Sequence, residues 1–476
     1  MESFSKQPAE CRFSRWALVK LMAPPIRSNY VPVSNSPAVS SVSRQQQLSG
    51  ALLLLYLLGA YTGVSIYGGG QILIPSFVCT AIACFVYFLA WHTIPKRFVG
   101  VMYVLVCTFS AQYAVSVIRQ GDADGVMLRA TINQVASILI GFSAIAISFQ
   151  LPAERFSKTL KYFWIFLIVG ATLEQFAGLG AISDAFRAAV FPKSAYVADV
   201  RDIELFGGIR PKVFSLEPSF VGLWFTATMA AWLACTDTRP FTRRFFGSIF
   251  ACLWMGYLVR SSTIAFIAPL YVAQILLLPS IAGRIHGGGF ARAMIATTLV
   301  SSFVLVSIAI EFLPRGIAPE FVYGDSVYGR LVAPRLVTQA VLATDPFTGT
   351  GLGNQDALFS ITLPIYASSR LAFAGGYTET LSARSLVTNS FFLHWIYLGI
   401  LFGLVTAFGY IKLLRSIQIT SVPYVIAAVS MIWFSIGGYV TVQCWSLFFL
   451  FAAAARYRDA ELRSSRRSGL ARRAVI

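Results

Sequence analysis

The chain alternates between long apolar runs and short polar breaks. Runs of roughly 18 or more apolar residues are long enough to cross a hydrocarbon core as helices. They fall at about 48–66, 71–91, 98–118, 132–150, 160–179, 218–236, 245–259, 262–280, 293–313, 388–411, 422–438 and 440–455. The pattern predicts an all-α fold: a polytopic integral membrane helical bundle of about 12 transmembrane helices. Only a bend near Gly437 separates the last two. Two polar stretches break the rhythm, 180–217 after the fifth run and 315–387 between the ninth and tenth. The larger is expected to be a loop domain held against one face of the bilayer, as the lid of a site. Residues 1–47 read as a flexible basic tail and 456–476 as a second one, on either side of a transmembrane domain spanning 48–455.

Composition agrees. Of 476 residues, 57% are hydrophobic and 12% charged, about half the charged fraction of a soluble domain. The net charge of +18 invites a nucleic-acid reading, but its placement argues otherwise. Lys96-Arg97, Arg155/Lys158/Lys161, Arg239/Arg243/Arg244, Arg284/Arg292 and Lys412/Arg415 mark every second loop, and both tails are basic. The excess of Lys and Arg on cytoplasmic loops orients such chains. Both termini are therefore expected in the cytoplasm, both long insertions on the opposite face, and no nucleic-acid partner. The seven cysteines form no CxxC motif, and three histidines are too few for a His-rich metal site.

Four segments could carry chemistry on the far face. Arg210-Pro211-Lys212 leads to Glu217-Pro218-Ser219 at the start of the sixth run. Pro suits the first helical turn, and the helix dipole there favours an ionised Glu217. Helix capping with interfacial charge is the alternative for this pair. Arg260 sits in a very short loop where Lys and Arg are normally scarce. Arg is the bidentate phosphate ligand of choice; snorkelling to headgroups is the alternative. Arg330 and Arg335, five apart, could clamp a diphosphate. The run Gly349-Thr350-Gly351-Leu352-Gly353-Asn354 allows positive φ and close backbone approach to a ligand, or is a plain turn. No strand–helix context supports a dinucleotide fold. Finally Asn389 opens the tenth run, which carries His394 as a candidate base or a buried hydrogen-bonded residue. Gly399 and Gly403 in the same run are spaced for close helix packing. Glu174 and Glu311 are acids near the outward ends of apolar runs.

In this order and on one side, these pieces resemble the O-antigen polymerases and O-antigen ligases, with the related exopolysaccharide polymerases. The resemblance covers roughly 200–410. It rests on Arg210…Glu217-Pro218-Ser219…Gly222, Arg260-Ser261, the large loop with Arg330/Arg335 and Pro346…Gly349-Thr350-Gly351-Leu352-Gly353, and Asn389 with Gly399 and Gly403. It implies a periplasmic, metal-independent and cofactor-free glycosyl transfer in a bacterial inner membrane. The donor is an undecaprenyl-diphosphate-linked glycan, and membrane lipid, a chain-length regulator and a flippase are the implied partners. Glu217, Arg210 and His394 are then the catalytic candidates, and Arg260, Arg330, Arg335, Gly351, Gly353 and Asn389 the diphosphate-binding ones. Ligases especially carry His directly before the Asn; here that position is Thr388, which favours polymerisation. Ligation of polymer to lipid A–core and a non-enzymatic transporter or flippase are the rival expectations.

Overall fold

A computed structural model describes residues 38–68, 71–90, 94–120, 125–191, 202–203, 207–235, 241–278, 289–312, 328–368 and 387–473. It is helical, with a helix at each position where the apolar runs predict one. These are α1 (Ala38–Thr62), α2 (Phe77–Ala90), α3 (Lys96–Gln120), α4 (Gly125–Ser148) and α5 (Ala153–Phe176). After a short α6 (Leu179–Val190) come α7 (Pro218–Cys235), α8 (Phe241–Val259), α9 (Ile267–Leu277) and α10 (Gly289–Phe312). The large insertion contributes α11 (Ala333–Thr344) and α12 (Gln355–Ser368), and the chain ends with α13 (Ser390–Ser416), α14 (Val422–Trp433) and α15 (Val442–Arg473). Among the described residues, α3, α4, α5, α7, α10 and α13 are long and apolar enough to cross a membrane. Shorter apolar helices lie in α2, α8, α9 and α14.

Three features depart from the sequence reading. An antiparallel hairpin, β1 (Ile66–Gly68) paired with β2 (Gln71–Ile74), stands where the first run was expected to end and the second to begin. Gly68-Gly69-Gly70 between β-branched and aromatic residues is turn chemistry that apolarity alone conceals. The first helix begins at Ala38, inside the expected N-terminal tail; residues 1–37 lie outside the described residues. The last helix runs on to Arg473, well into the expected C-terminal tail. Its first turns past 455 are anchored: Asp459 is buried, accepting from the Thr420 and Ser421 amides at 2.7 and 3.0 Å and from Ser421 Oγ at 2.5 Å. That carboxylate caps α14, where free amides favour an anion.

α7 is the central helix, with 83% of its apolar window buried against 11% for α10 at the periphery. α15 lies along α4, and the approach depends on Gly141, where a Cβ would stand 3.0 Å from the Trp445 carbonyl. Small residues let helices meet where lipid supplies no hydrophobic drive.

α13 is broken. Gly399 adopts φ 62°, ψ −167°, which divides the helix into two halves. A break at membrane depth is tolerated only where protein satisfies the freed backbone groups. Here the Gly-rich run supplies them. The Thr350 and Gly351 amides donate to the Ile396 and Tyr397 carbonyls at 2.9 and 3.1 Å. The Ile400 and Leu401 amides donate to the Pro346 and Phe347 carbonyls at 2.6 and 3.2 Å. Gln112 Nε2 of α3 donates to the Tyr397 carbonyl at 3.0 Å and the Thr348 carbonyl at 3.3 Å, and Arg119 pairs with Asp345 and Thr348. Gly399 lies nine residues past Ser390, so the turn descends about 13 Å below the start of α13. The described part of the insertion is thus a wedge within the bundle rather than a lid over it.

Candidate functional site

The segment 207–217 enters α7 in a conformation its sequence disfavours. Val213 and Phe214 are both left-handed, with φ 43° and 64°. Such a backbone persists only when its surroundings fix it, and for a β-branched residue it is a genuine outlier. The fixing groups come from three helices. Tyr61 donates to the Val213 carbonyl at 2.8 Å. Glu174 Oε2 accepts from the Lys212 amide at 2.6 Å, and Ser183 Oγ from the Phe214 amide at 2.9 Å. Arg187 is buried and donates to the Ser215 and Leu216 carbonyls at 2.8 and 3.0 Å while its Nη1 pairs with Asp184 at 2.6 Å. Glu174, read from sequence as an intramembrane acid, is therefore a backbone anchor for this segment. Tyr61, Ser183 and Arg187 were missed; only the burial of an Arg on the amphipathic α6 could have drawn notice.

Arg210 is held by a buried Asp202. Its Nε donates to Oδ1 at 2.9 Å, Nη2 pairs with the same oxygen at 2.9 Å, and its amide donates to Oδ2 at 3.3 Å. Glu217 follows, half-buried immediately before Pro218. Its carbonyl accepts from Ser215 Oγ and the Phe220 amide. Its carboxylate makes no hydrogen bond or ion pair among the described residues.

Arg330 lies within electrostatic range of this carboxylate, on a π turn, Tyr328–Val332, between α10 and α11. Burial pushes its guanidinium below the ordinary value; the Glu217 charge opposes that shift and the Arg210 charge adds to it. Arginine remains cationic under such perturbation. Among the described residues its side-chain hydrogen bond is a long one, Nη1 to the Ser435 carbonyl at 3.5 Å. The Arg330 backbone is fixed by Asn389, whose Nδ2 donates to its carbonyl at 2.5 Å and to the Phe434 carbonyl at 3.2 Å. Asn389 Oδ1 in turn caps α13, accepting from the Phe392 amide at 3.1 Å. The bend between α14 and α15 is expected near Gly437 and found there, with Gly438 at φ 85°. It closes the floor: the Ser390 amide donates to the Ile436 carbonyl at 2.7 Å. Thr388 Oγ1 donates to the Gly329 carbonyl at 3.3 Å.

Arg260 terminates α8 at the same end. Gly222, one turn into α7, would place a Cβ 2.6 Å from Thr263 Oγ1 and 3.5 Å from Ser261 Cβ. The loop carrying Arg260 therefore lies against the first turn of the helix that Glu217 precedes. Arg260 has φ 47° and leans over the Tyr257 ring at 5.8 Å.

The structure thus brings Arg210, Glu217 and Arg330 together, with Arg260 alongside and Asn389 holding the Arg330 backbone. The remaining candidates sit differently. Arg335 is buried on α11, one turn past the Arg330 turn, with Nη1 on Gln339 at 3.0 Å. Gly351 and Gly353 do have positive φ, 91° and 74°, but they approach Ser116, Met127 and Ala130, not open space for a ligand. His394 is buried with Nδ1 on the Tyr439 hydroxyl at 2.8 Å and Nε2 on the Gly403 carbonyl at 3.0 Å, so neither ring nitrogen is left to take a substrate proton. Gly399 and Gly403 are not a helix-packing pair: the first is the break and the second faces Trp395 of its own helix. The side chain of Glu311 lies outside the described residues. Among the described residues no group of three or more His, Cys, Asp or Glu side chains could hold a metal ion.

An unpartnered carboxylate near cationic groups at a helix N-terminus can accept a proton or orient a hydroxyl, while the cations hold an anion beside it. Comparison with protein-family models, curated proteins and solved structures gives no match.

Proposed function

We propose that the chain polymerises undecaprenyl-diphosphate-linked oligosaccharide repeats, of the O-antigen or exopolysaccharide type, at the periplasmic face of a bacterial inner membrane. In this reading it crosses twelve times, with both termini in the cytoplasm. The observation that carries it is the Glu217 carboxylate, without a hydrogen-bond partner among the described residues and in electrostatic contact with Arg330, which in turn feels Arg210. The resemblance of residues 200–410 to the O-antigen polymerase and ligase families supplies the substrate class.

The chemistry follows from those groups. Glu217 accepts the proton of an acceptor sugar hydroxyl. The hydroxyl oxygen bonds to the anomeric carbon of the donor glycan as the bond from that carbon to the diphosphate oxygen breaks. The electron pair leaves on the polyprenyl diphosphate, and Arg330, with Arg260 beside it, stabilises that charge. Arg210 is already paired with Asp202, so its part is to set the local potential and hold the segment. Thr388 replaces the histidine that ligases especially carry, and its hydroxyl is committed to the Gly329 carbonyl, which supports polymerisation over ligation.

The test is the glycolipid profile of a deletion strain complemented with Glu217→Gln. The expected profile is a single-repeat band in place of a ladder, with protein present in the membrane at normal level. A normal ladder from Glu217→Gln would remove Glu217 from the chemistry. Long lipid-linked polymer left unattached in the deletion strain would assign ligation instead. Repeats accumulating on the cytoplasmic face would assign transport.

A further inference from the structure

A second cavity has its charged rim at the opposite end of the bundle and runs up to Phe391 in the first turn of α13. α10 and α13 each pack against α14 and leave a cleft between them. Its cavity is about 750 Å³, lined on α10 by Arg292, Ala296 and Val300 among others, on α13 by Ala407, Tyr410 and Arg415, and on α14 by residues from Val422 to Trp433.

The lining is graded. The polar atoms of its deeper wall turn into the protein: both His394 nitrogens are engaged, and the Tyr410 hydroxyl is 2.5 Å from that of Tyr439. What faces the cavity is mostly hydrocarbon, with Thr297, Ser301, Thr420 and Ser430 as scattered hydroxyls and small residues on α10 giving it width. Among the described residues its charged lining is Arg292 and Arg415, with no Asp or Glu. Asp459 lies near, at Thr420, but both its oxygens are occupied in capping α14. The two arginines share one end. Arg292 is in the first turn of α10, whose other end leads to Arg330, and Arg415 is in the last turn of α13, whose first residue follows Asn389. From Gly289 to Ser301 the α10 wall is about 18 Å long, little more than half of a hydrocarbon core ~30 Å thick. On α13 the lining continues from Arg415 up to Phe391 and Trp395, so the cleft is a long apolar slot with both charges at one rim: it suits a lipid with its chains inward and its phosphate at the rim.

The geometry points to this cleft as a binding site for an anionic glycerophospholipid of the leaflet opposite the Glu217 site, its acyl chains between α10 and α13 and its phosphate on Arg292 and Arg415. A polyprenyl diphosphate serving the Glu217 site fits poorly, because its phosphates belong beside Arg330, at the far end of α10. The inference rests on the membrane-spanning helices and not on the glycosyl-transfer reading, so either stands if the other fails.

The test is native mass spectrometry of the full-length protein released from nanodiscs of equimolar phosphatidylglycerol and phosphatidylethanolamine doped with polyprenyl phosphate. Wild-type protein is expected to retain phosphatidylglycerol in preference. Two arginine–phosphate contacts near the headgroup plane are together worth about 30-fold, so R292Q/R415Q should lose that preference by about that factor. Ala407→Trp fills the cleft with both arginines intact and should lower total lipid retention. If the double variant does not fold, the Ala407→Trp comparison decides alone. Equal phosphatidylglycerol retention by wild type and either variant overturns the proposal, as does preferential retention of polyprenyl phosphate at this cleft.

Discussion

Gly349 and Gly399 meet backbone to backbone. A Cβ built on Gly349 would stand 2.4 Å from the Ile396 carbonyl oxygen, and one on Gly399 would stand 2.6 Å from the Gly349 amide. Each glycine has φ 62°, so an L side chain at either is strained as well as excluded. This contact joins the large insertion to the middle of a membrane helix.

Alanine at either glycine should therefore prevent docking. A left-handed non-glycine residue costs about 1–2 kcal/mol, and forced overpacking adds about 1–3. The lost docking bonds would also leave carbonyls unpaired at membrane depth. Gly399→Ala and Gly349→Ala are each expected to lower stability by at least ~3 kcal/mol, read as loss of monodisperse protein and a lower unfolding temperature in detergent. Gly100→Ala, where a Cβ meets nothing within 4 Å, should behave as wild type. A Gly399→Ala protein as stable as Gly100→Ala would mean the break is not held by the loop.

The helical plan was open to reading from the pattern of apolar runs, because hydrocarbon thickness dictates run length and little else competes with it. What the pattern cannot carry is what breaks a run. A hairpin, Ile66–Gly68 with Gln71–Ile74, takes the ends of two apolar runs, and Gly399 breaks a third from within. The Gly-rich run was singled out for its conformational freedom, and that freedom is used; its partner is the protein's own backbone and not a ligand. In the site, Arg210, Glu217 and Arg330 were legible as charges out of place in an apolar chain. Arg335, just as conspicuous, is buried on another element, because sequence spacing in a loop does not fix direction. Asp202 and Arg187 escaped notice as site residues because they act on backbone or on another charge; Glu174 stood out as an acid in an apolar run, and its role is to anchor backbone.

Arg210 and Asp202 separate a structural loss from a functional one. Removing one partner of a buried ion pair leaves an uncompensated charge, at about 3–5 kcal/mol. Arg210→Ala is thus expected to destabilise strongly, and its inactivity would say little about chemistry. The double variant Arg210→Ala/Asp202→Ala should recover most of the lost stability. Polymer length in a strain carrying the double variant then reports the contribution of the Arg210 charge itself. No recovery of the unfolding temperature in the double variant would show that the pair does more than neutralise itself.

His394 is placed to hold the two halves of α13 together. Its Nε2 reaches across the break to the Gly403 carbonyl, and Nδ1 joins the Tyr439 hydroxyl. His394→Ala removes both bonds, but the Tyr439 hydroxyl keeps Tyr410 and the Gly403 carbonyl keeps Thr406 Oγ1 at 3.1 Å, so the loss is about 1 kcal/mol per bond and a modest drop in unfolding temperature is expected. His394→Gln can keep one of the two bonds and should be intermediate in stability, with activity per folded molecule near wild type. A His394→Gln protein that is fully stable but makes no ladder would restore a chemical role for the imidazole.

Arg260 offers the cleanest separation of stability from function. It is a non-glycine residue at φ 47° whose guanidinium, among the described residues, bonds to the nearby Tyr257 carbonyl at 3.4 Å and leans on that residue's ring. Little in the fold depends on that side chain, while the backbone is strained to present it. Arg260→Gly removes the left-handed penalty, of the order of 1 kcal/mol, and should leave the unfolding temperature equal or slightly raised. If Arg260 stabilises the departing diphosphate, the same change should shorten or abolish the ladder. Arg260→Lys keeps the charge but not the bidentate fork, and should restore only part of the chain length. The two readouts moving in opposite directions is the result expected of strain held for function. A Gly variant that is both destabilised and active would mean that Arg260 only anchors the loop at the headgroups.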